Sequence, residues 1–365
     1  MLHPVPDSSL RRRLMRIVVI QRKLVRALCA LPAGSTVDQE WLSSTAWPRV
    51  DADWIRRFWE NENGRRQAWL NTIAAANASA KRELNEIMDE QHRFKKLYCI
   101  PPEHRLRQTD STFWKATPVR KAMRHLMLDF YNPWFYESAG YPSTLHGGGD
   151  VLKRKHLARD PLLPVCPFSD GTMQRPQLDH FLPKESFPFI CLHPDNLIPS
   201  SSDANMNKST VLPLDWTAAH QTSKWFHPRW RSAHDRFLLR FDEKSDRLLT
   251  LKFEAVDAIE KERVANLDKM FGLTKFWGTT LDVDIQNVQK EVADLLRDDD
   301  ISATENSVRK QLEKLHRQYA RRAGYRPKHI YYAALYEFVL NTNSLITDII
   351  KQYQEDALKH EALAE

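Results

Sequence analysis

One stretch of the chain, from Val165 to Lys208, constrains the fold more than any other because it sets polar side chains at fixed spacings among turn-forming residues. An Asp179-His180 pair opens the series, and Asn196 and Asn205 follow it. The prolines and short apolar runs between them are typical of short strands joined by turns. The pattern predicts two turn-rich β segments and the start of a helix, which would bring the polar side chains together at one metal ion.

The residue types in this stretch suit the hydrolysis of a phosphodiester. That reaction needs a base that takes a proton from water and a hard cation that offsets charge on the phosphoryl and leaving oxygens. His180 is the candidate base, while Asp179 and the side-chain carbonyl of Asn205 are oxygen ligands of the kind that Mg2+ prefers. Neighbours in an extended strand point to opposite faces. Asp179 and His180 could therefore serve one site only where the backbone bulges or turns.

The same residues resemble the ββα-metal motif of the HNH endonucleases. The match covers about an eighth of the chain, and its order and spacing are fairly specific. Four elements carry it. Cys166-Pro167-Phe168-Ser169 matches the family's CPxCG, and Asp179-His180-Phe181-Leu182-Pro183 matches its DHxxP. Asn196-Leu197-Ile198-Pro199 matches the central Asn with LxP, and Asn205 with Lys208 matches the closing Asn/His with a following Lys.

The resemblance implies a role for each of these residues. His180 would be the general base, and Asp179 and Asn205 would bind Mg2+ or Mn2+. Asn196 would brace the loop that carries the base. Two neighbours could replace the second ligand if the register differs: Asn207 and Asp203.

The resemblance also indicates how substrate would be held and cut. The products would carry 5′ phosphate and 3′ hydroxyl groups. Because one chain has one site, a monomer should nick DNA rather than cut both strands. Three cations are the candidates for holding phosphate: Arg175, Lys184 and Lys208.

A structural zinc ion is not expected, although many members of the family hold one between two Cys pairs. The corresponding positions here are Cys166, Ser169, Ser201 and Ala204, and one thiol among four does not meet the need for four Cys or His ligands. Packing should hold the motif instead, through Phe168, Phe181, Phe187, Phe189 and Ile190.

Several alternatives stay open. The motif could be a degenerate, inactive HNH module, and a non-catalytic nucleic-acid-binding protein would show no metal dependence. An RNA-cleaving toxin could use the same residues on a different substrate. In layout the chain is similar to the accessory nucleases of Zorya-like or Septu-like defence systems, which implies antiviral defence beside a partner ATPase or sensor protein.

Composition and charge favour a soluble protein with an anionic partner. The 365 residues are 42% hydrophobic and 28% charged, and no run of eighteen apolar residues indicates a membrane span. The N-terminal basic stretch lacks the apolar run of a secretory signal, and the four cysteines form no CxxC pair, so we expect a cytoplasmic protein with reduced thiols and no membrane partner. The formal charge of +7 favours DNA or another polyanion.

The pattern as a whole predicts a mainly α protein with a small ββα-metal (HNH) module, α+β overall. We expect a helical lobe over 1–139 with a basic first helix from about Leu10 to Leu31. The nuclease module would span 140–254, entered by a glycine-rich hinge near Gly147 and followed by a β-hairpin that extends its sheet. A helical lobe over 255–365 would include a helix capped at Ser302 and one last continuous helix.

Overall fold

The structure is a computed structural model that describes residues 2–9, 11–45, 58–60, 64–99, 104–131, 163–173, 176–209, 211–243 and 249–364. Arg175, the hinge near Gly147 and the cationic run from Lys153 to Lys155 lie outside the described residues.

The fold is mainly helical, with 57% helix and 8% strand, which confirms the α+β class. Its strands form two separate antiparallel pairs. The chain divides into two compact units that interleave along the sequence, whereas three consecutive regions were expected. The first unit comprises Pro4–Leu163 and Arg175–Ser232, and the second comprises Met1–His3, Pro164–Gln174 and Ala233–Glu365.

The first unit is a set of helices around a two-stranded sheet. Its described elements, in chain order, are α1 (Arg11–Ala30), α2 (Gln39–Thr45), α3 (Arg65–Ala75), α4 (Ala78–His92), α5 (Lys95–Cys99), α6 (Ser111–Lys115), α7 (Pro118–Asp129), β1 (Gln177–His180), β2 (Leu197–Ser200) and α8 (Ser202–Lys208). Helices α4 and α7 both pack on the short 3-10 turn Pro188–Ile190, which lies between the two strands in the chain.

Helix α1 is amphipathic, and its apolar face enters the core of this unit with Leu14, Val18 and Leu28 almost fully buried. Its cations divide into two groups. Arg11 pairs with Asp195, and both Arg22 and Arg26 pair with Asp89. Three others on α1 are exposed or point outward from the core and make no ion pair among the described residues: Arg12, Arg16 and Lys23. One face of the helix therefore packs in the core, and another face exposes a row of basic side chains.

The aromatic and cationic segment after α8 is a packed connector. His227 is buried and stacks on Trp230 at a ring distance of 4.0 Å. Arg231 donates hydrogen bonds to the carbonyl oxygens of Thr222 and Tyr98 at 2.7 and 2.8 Å. These contacts are buried or half-buried, so the segment contributes to the core of the unit rather than to an open binding surface.

The described part of the second unit contains a β-hairpin and six helices, several of which pack on the hairpin. Its described elements are β3 (Phe237–Glu243), β4 (Leu249–Ala255), α9 (Lys261–Phe271), α10 (Leu273–Gly278), α11 (Leu281–Asp298), α12 (Glu305–Arg321), α13 (His329–Leu340) and α14 (Asn343–Ala364). Residues 1–3 join this unit because His3 pairs with the buried carboxylate of Asp170 at 2.6 Å. Asp170 also accepts a hydrogen bond from the backbone N–H of Ile330.

The predicted hairpin is present, but its expected place in the nuclease sheet is wrong. β3 and β4 pair with each other from Phe237↔Ala255 to Glu243↔Leu249 and form a sheet of their own. The apolar face of the hairpin is covered by helices of its own unit. The ring centroids of Phe241 and Phe338 are 5.3 Å apart, and those of Phe253 and Trp277 are 5.4 Å apart.

Two helix boundaries also differ from the prediction. Thr304, not Ser302, caps α12, because Thr304 and Ser307 exchange the two hydrogen bonds of a capping box. The predicted last helix is two helices, because α13 ends at Leu340 and α14 begins at Asn343. Between them the Asn341 N–H closes the end of α13 by bonding to Glu337 and Phe338 carbonyls.

Candidate functional site

The first unit contains a strand, a loop, a second strand and a helix in unbroken succession. β1 pairs antiparallel with β2, from Gln177↔Ser200 to His180↔Leu197. Ser201 follows β2 directly and caps α8, with its side chain accepting from the Ala204 N–H. Helix α8 packs on β1. The order is therefore ββα, as the spacing of the polar residues predicts.

His180 ends β1, and its ring is anchored through one nitrogen. Nε2 lies 2.9 Å from the carbonyl oxygen of Cys191. A carbonyl can only accept, so Nε2 carries the proton and Nδ1 keeps the lone pair of a neutral imidazole. Burial in its surroundings, with help from the Lys184 and Lys208 ammonium groups, lowers the pKa of His180 to about 3. His180 is thus a neutral ring whose Nδ1 is unprotonated at pH 7.

Two side chains border the His180 ring. The ring meets Tyr131 edge-on with centroids 4.4 Å apart. The Lys184 ammonium lies 4.9 Å from the centre of the Tyr131 ring, and both Lys184 and His180 are half-buried. A cation therefore lies over the aromatic ring that borders His180, where an anionic substrate would be attracted.

Asn196 is fully buried and ties together the loop between the two strands. Its side-chain oxygen accepts from the Leu182 N–H at 2.7 Å, and its amide donates to the carbonyl oxygens of Leu182 and Ile190 at 3.0 and 3.2 Å. Its backbone carbonyl accepts from the Phe181 N–H at 2.8 Å. Asn196 thus fixes the backbone directly after His180, without contacting the imidazole itself in any hydrogen bond of the described residues.

Asp179 and Lys208 form a buried ion pair between β1 and α8. Asp179 is 4% exposed and Lys208 is 1% exposed. The Lys208 ammonium donates to Asp179 Oδ1 at 3.0 Å and to the His180 backbone carbonyl at 2.7 Å. Burial pushes the pKa of the Asp179 carboxyl upward, and Lys208 acts in the opposite direction. Lys208 therefore lies inside the module instead of on a surface where it could hold phosphate.

Asn205 lies one helical turn before Lys208 on the same interface. Its amide donates to the side-chain oxygen of Gln177 at 2.6 Å. Gln177 and Asp179 alternate along β1 and share a face, so two polar pairs stand side by side between β1 and α8. The two alternatives to Asn205 are exposed on α8: Asp203 and Asn207.

The backbone of β1 is regular at Asp179 and His180, which pair in sequence with Ile198 and Leu197. The bulge that would turn both side chains to one face does not occur there. The Asp179 carboxylate faces α8, whereas the His180 ring contacts Tyr131 and the Cys191 carbonyl. The structure brings the two residues to one strand end but to its opposite faces.

Oxygen ligands for a divalent cation are nevertheless present between β1 and α8. Asp179 Oδ2 is buried and has no hydrogen-bond partner among the described residues, which is unusual for a carboxylate oxygen. No three His, Cys, Asp or Glu side chains of the described chain cluster as a metal cage. Mg2+ commonly uses one or two protein oxygens and completes its shell with water and substrate phosphate. The donor type therefore fits, provided that the Lys208 ammonium gives way.

The predicted packing residues are all buried, but they belong to different neighbourhoods. Phe181 packs on Tyr98 and His227 in the first unit. Phe168 belongs to the second unit, where it stacks on Phe271 at 4.8 Å. Cys166 is buried in the same short loop and forms no disulfide with a described cysteine, and the loop is closed by a Val165↔Thr172 bridge.

The sequence did not identify three groups of this site. Tyr131 and the Cys191 carbonyl reach His180 from distant parts of the chain, and no local pattern marks them. Gln177 could have been found, because it stands two residues before Asp179 and alternation places it on the same face of β1. Arg175, the remaining candidate for holding phosphate, is outside the described residues.

Comparisons with family models, with curated proteins and with solved structures found nothing that matches this chain. Among the described residues, none of the helices combines the length and apolarity that a bilayer crossing requires.

Proposed function

We propose that the chain is a metal-dependent endonuclease of the HNH type that hydrolyses DNA phosphodiester bonds at the β1–β2–α8 module. One observation carries the proposal: a neutral imidazole, held in a single tautomer by the Cys191 carbonyl, stands at the end of β1 within a ββα succession. By the same resemblance we place the protein in antiviral defence, beside a partner ATPase or sensor protein.

The residues of the chain divide the chemistry among them. His180 Nδ1 accepts the proton of the attacking water, while Nε2–H stays on the Cys191 carbonyl and keeps the ring oriented. Lys184 attracts the phosphate toward the ring. Asn196 holds the loop that follows the base.

Asp179 and Asn205 would hold the divalent cation. When bound, such a cation supplies charge stabilisation at the phosphoryl and leaving oxygens. The orphaned Asp179 Oδ2 supports this assignment. Because β1 is regular, Asp179 and His180 lie on its opposite faces, so the end of the strand has to turn for both to reach one phosphate. Because Lys208 already neutralises the other carboxylate oxygen, its ammonium has to move away as the cation binds.

A single assay tests the proposal. Supercoiled plasmid and labelled RNA are incubated with wild type or His180→Ala in Mg2+, Mn2+ or EDTA. We expect plasmid cleavage that EDTA abolishes and that His180→Ala slows by about a hundredfold or more. His220→Ala is the matched control, since His220 is an exposed histidine of the same unit. Cleavage of RNA and not of plasmid would indicate an RNA-cleaving toxin. Cleavage that continues in EDTA would contradict the proposal.

The buried Asp179–Lys208 pair favours a second candidate function. An ammonium that satisfies a buried carboxylate can substitute for a metal ion, and the module would then be a non-catalytic nucleic-acid-binding element. Electron paramagnetic resonance of Mn2+ decides between the two. Stoichiometric Mn2+ binding by wild type that Asp179→Asn abolishes supports the nuclease. If millimolar protein leaves the signal of unbound Mn2+ unchanged, the protein binds no metal, and the result supports the binding module.

A further inference from the structure

A groove in the second unit is lined almost entirely by cations. It lies along the last turns of α12, has a volume of about 410 Å³ and is bordered by Lys314, Arg317, Gln318, Arg321 and Arg322. All five side chains are exposed. Four carry a positive charge and the fifth is an amide, so the lining offers hydrogen-bond donors and no carboxylate.

Little acidic charge offsets this row. Arg317 lies 3.5 Å from Glu313, in a pair whose two side chains are both more than half exposed. Lys314, Arg321 and Arg322 make no ion pair with any carboxylate of the described chain. Like charges spaced one helical turn apart destabilise a helix. The row has little acidic charge between its members, which is typical of an anion-binding surface and not of a solvated helix with alternating charges.

An exposed aromatic residue follows the groove residues in the chain. Tyr325 is 71% exposed, and its backbone N–H bonds to the Arg322 carbonyl at 2.9 Å. Gly324, with φ of 80°, turns the chain directly after α12 and so presents the tyrosine at the surface. Aromatic rings beside cations are the usual platform on which the bases of a single strand stack.

We infer that this groove binds a single nucleic-acid strand, with phosphates along Lys314, Arg317 and Arg321 and a base on Tyr325. The run from Lys314 to Arg321 covers about 10 Å at the helical rise, which matches about three phosphates of one strand. Guanidinium groups suit phosphate because they donate in a planar fork.

Other anionic partners fit this surface less well. An acidic protein segment would use the cations but has no need of Tyr325. A membrane surface would require apolar side chains on the same face as the cations, and the groove lining has none. The inference stands on the groove alone and holds whether or not the β1–β2–α8 module cleaves.

The test measures binding in the absence of catalysis. The full chain carrying His180→Ala is titrated in EDTA against a fluorescent oligothymidylate and a duplex of equal length, at several salt concentrations. Adding Lys314→Gln, Arg317→Gln and Arg321→Gln together should weaken single-strand binding roughly tenfold and lower the slope of log affinity against log salt by about 2.

Matched variants distinguish the effect of the groove residues from the effect of lowering the net positive charge of the protein. Lys269→Gln, Lys275→Gln and Lys290→Gln remove the same charge from exposed positions on other helices of this unit and should leave both quantities unchanged. Tyr325→Ala should weaken single-strand binding about fivefold or more, and Tyr325→Phe should retain it because the ring remains.

Two outcomes overturn the inference. Equal losses in the groove variant and in the control variant would show that only net charge matters. Undiminished oligonucleotide binding, together with loss of binding to a polyglutamate peptide, would assign the groove to an acidic protein. Absent plasmid cleavage beside groove-dependent binding would contradict the proposed function alone.

Discussion

At the scale of single residues, one backbone carbonyl decides what His180 can do. The Cys191 oxygen accepts a hydrogen bond from Nε2–H, so Nδ1 is the nitrogen that keeps its lone pair. A sequence that contains Asp179-His180 gives no sign of this contact, because the acceptor is a main-chain atom eleven residues away. The sequence could identify the base, but its tautomer follows from tertiary structure.

The pH dependence of stability can be predicted from a second histidine. His193 is 6% exposed, and burial, followed by the charge of Arg11, lowers its pKa to about 3. Its further charged and titratable neighbours are Arg22, Arg229, Asp195 and His92.

Because the unfolded chain binds a proton near pH 6.5 and the folded chain does not, the contribution of His193 is complete above pH 6.5. It is lost as pH falls toward about 3. We expect the free energy of unfolding in urea to fall by up to ~1.4 kcal/mol per pH unit for this histidine. His193→Asn should have a shallower pH slope. An identical slope in the variant would contradict the prediction.

The Asp179–Lys208 pair gives the second prediction. Lys208→Met leaves a buried carboxylate without its counter-charge, which should cost about 3–5 kcal/mol of stability in EDTA. If Asp179 is a metal ligand, Mn2+ should raise the melting temperature of this variant more than that of wild type.

The double variant Asp179→Asn/Lys208→Met is its control. Without the buried carboxylate it should recover part of the lost stability and show no response to Mn2+. Equal Mn2+ responses in the single and double variants would exclude Asp179 as a ligand.

At the scale of elements, the loop between β1 and β2 depends on one amide. Asn196→Ala leaves the Leu182 N–H and the Leu182 and Ile190 carbonyls without their partner. We expect a loss of about 3 kcal/mol in urea unfolding, since each unsatisfied buried group costs about 1–3 kcal/mol. Asn306→Ala, at an exposed position of α12, should change stability by less than about 0.5 kcal/mol. A loss no larger than that control would show that the loop does not need the brace.

Sequence patterns predicted the presence of helices and strands better than the residues at which they begin and end. The polar spacing predicted β1, β2 and α8 in order, and alternation predicted the β3–β4 hairpin. The start of α12 was missed because Ser302 and Thr304 both suit a cap, and only the capping bonds with Ser307 decide between them. The break after Leu340 was missed because the apolar spacing continues across it, while the backbone ends α13 there.

At the scale of the whole molecule, the division into units could not be read from the order of the chain. Residues 1–3 belong with the C-terminal helices through His3 and Asp170, which are 167 positions apart. Composition and charge do not encode such a contact. The ββα site was more predictable than the units, because its residues other than Tyr131 lie within 32 positions of one another, from Gln177 to Lys208.

If the proposed nuclease site is correct, each chain cuts one DNA strand at a time, because it has one candidate catalytic site. Cleavage of supercoiled plasmid should therefore give open circles before any linear product. The rate of open-circle formation should depend on the imidazole and on added metal together.

The most direct measurement is the single-turnover rate of plasmid nicking in Mg2+ by wild type, His180→Ala and His220→Ala, each checked for folding by circular dichroism. We expect nicking by wild type and His220→Ala and a rate about a hundredfold or more lower for His180→Ala. Equal nicking by all three proteins, or no nicking by wild type with any divalent cation, would rule out His180 as the base of a metal-dependent nuclease.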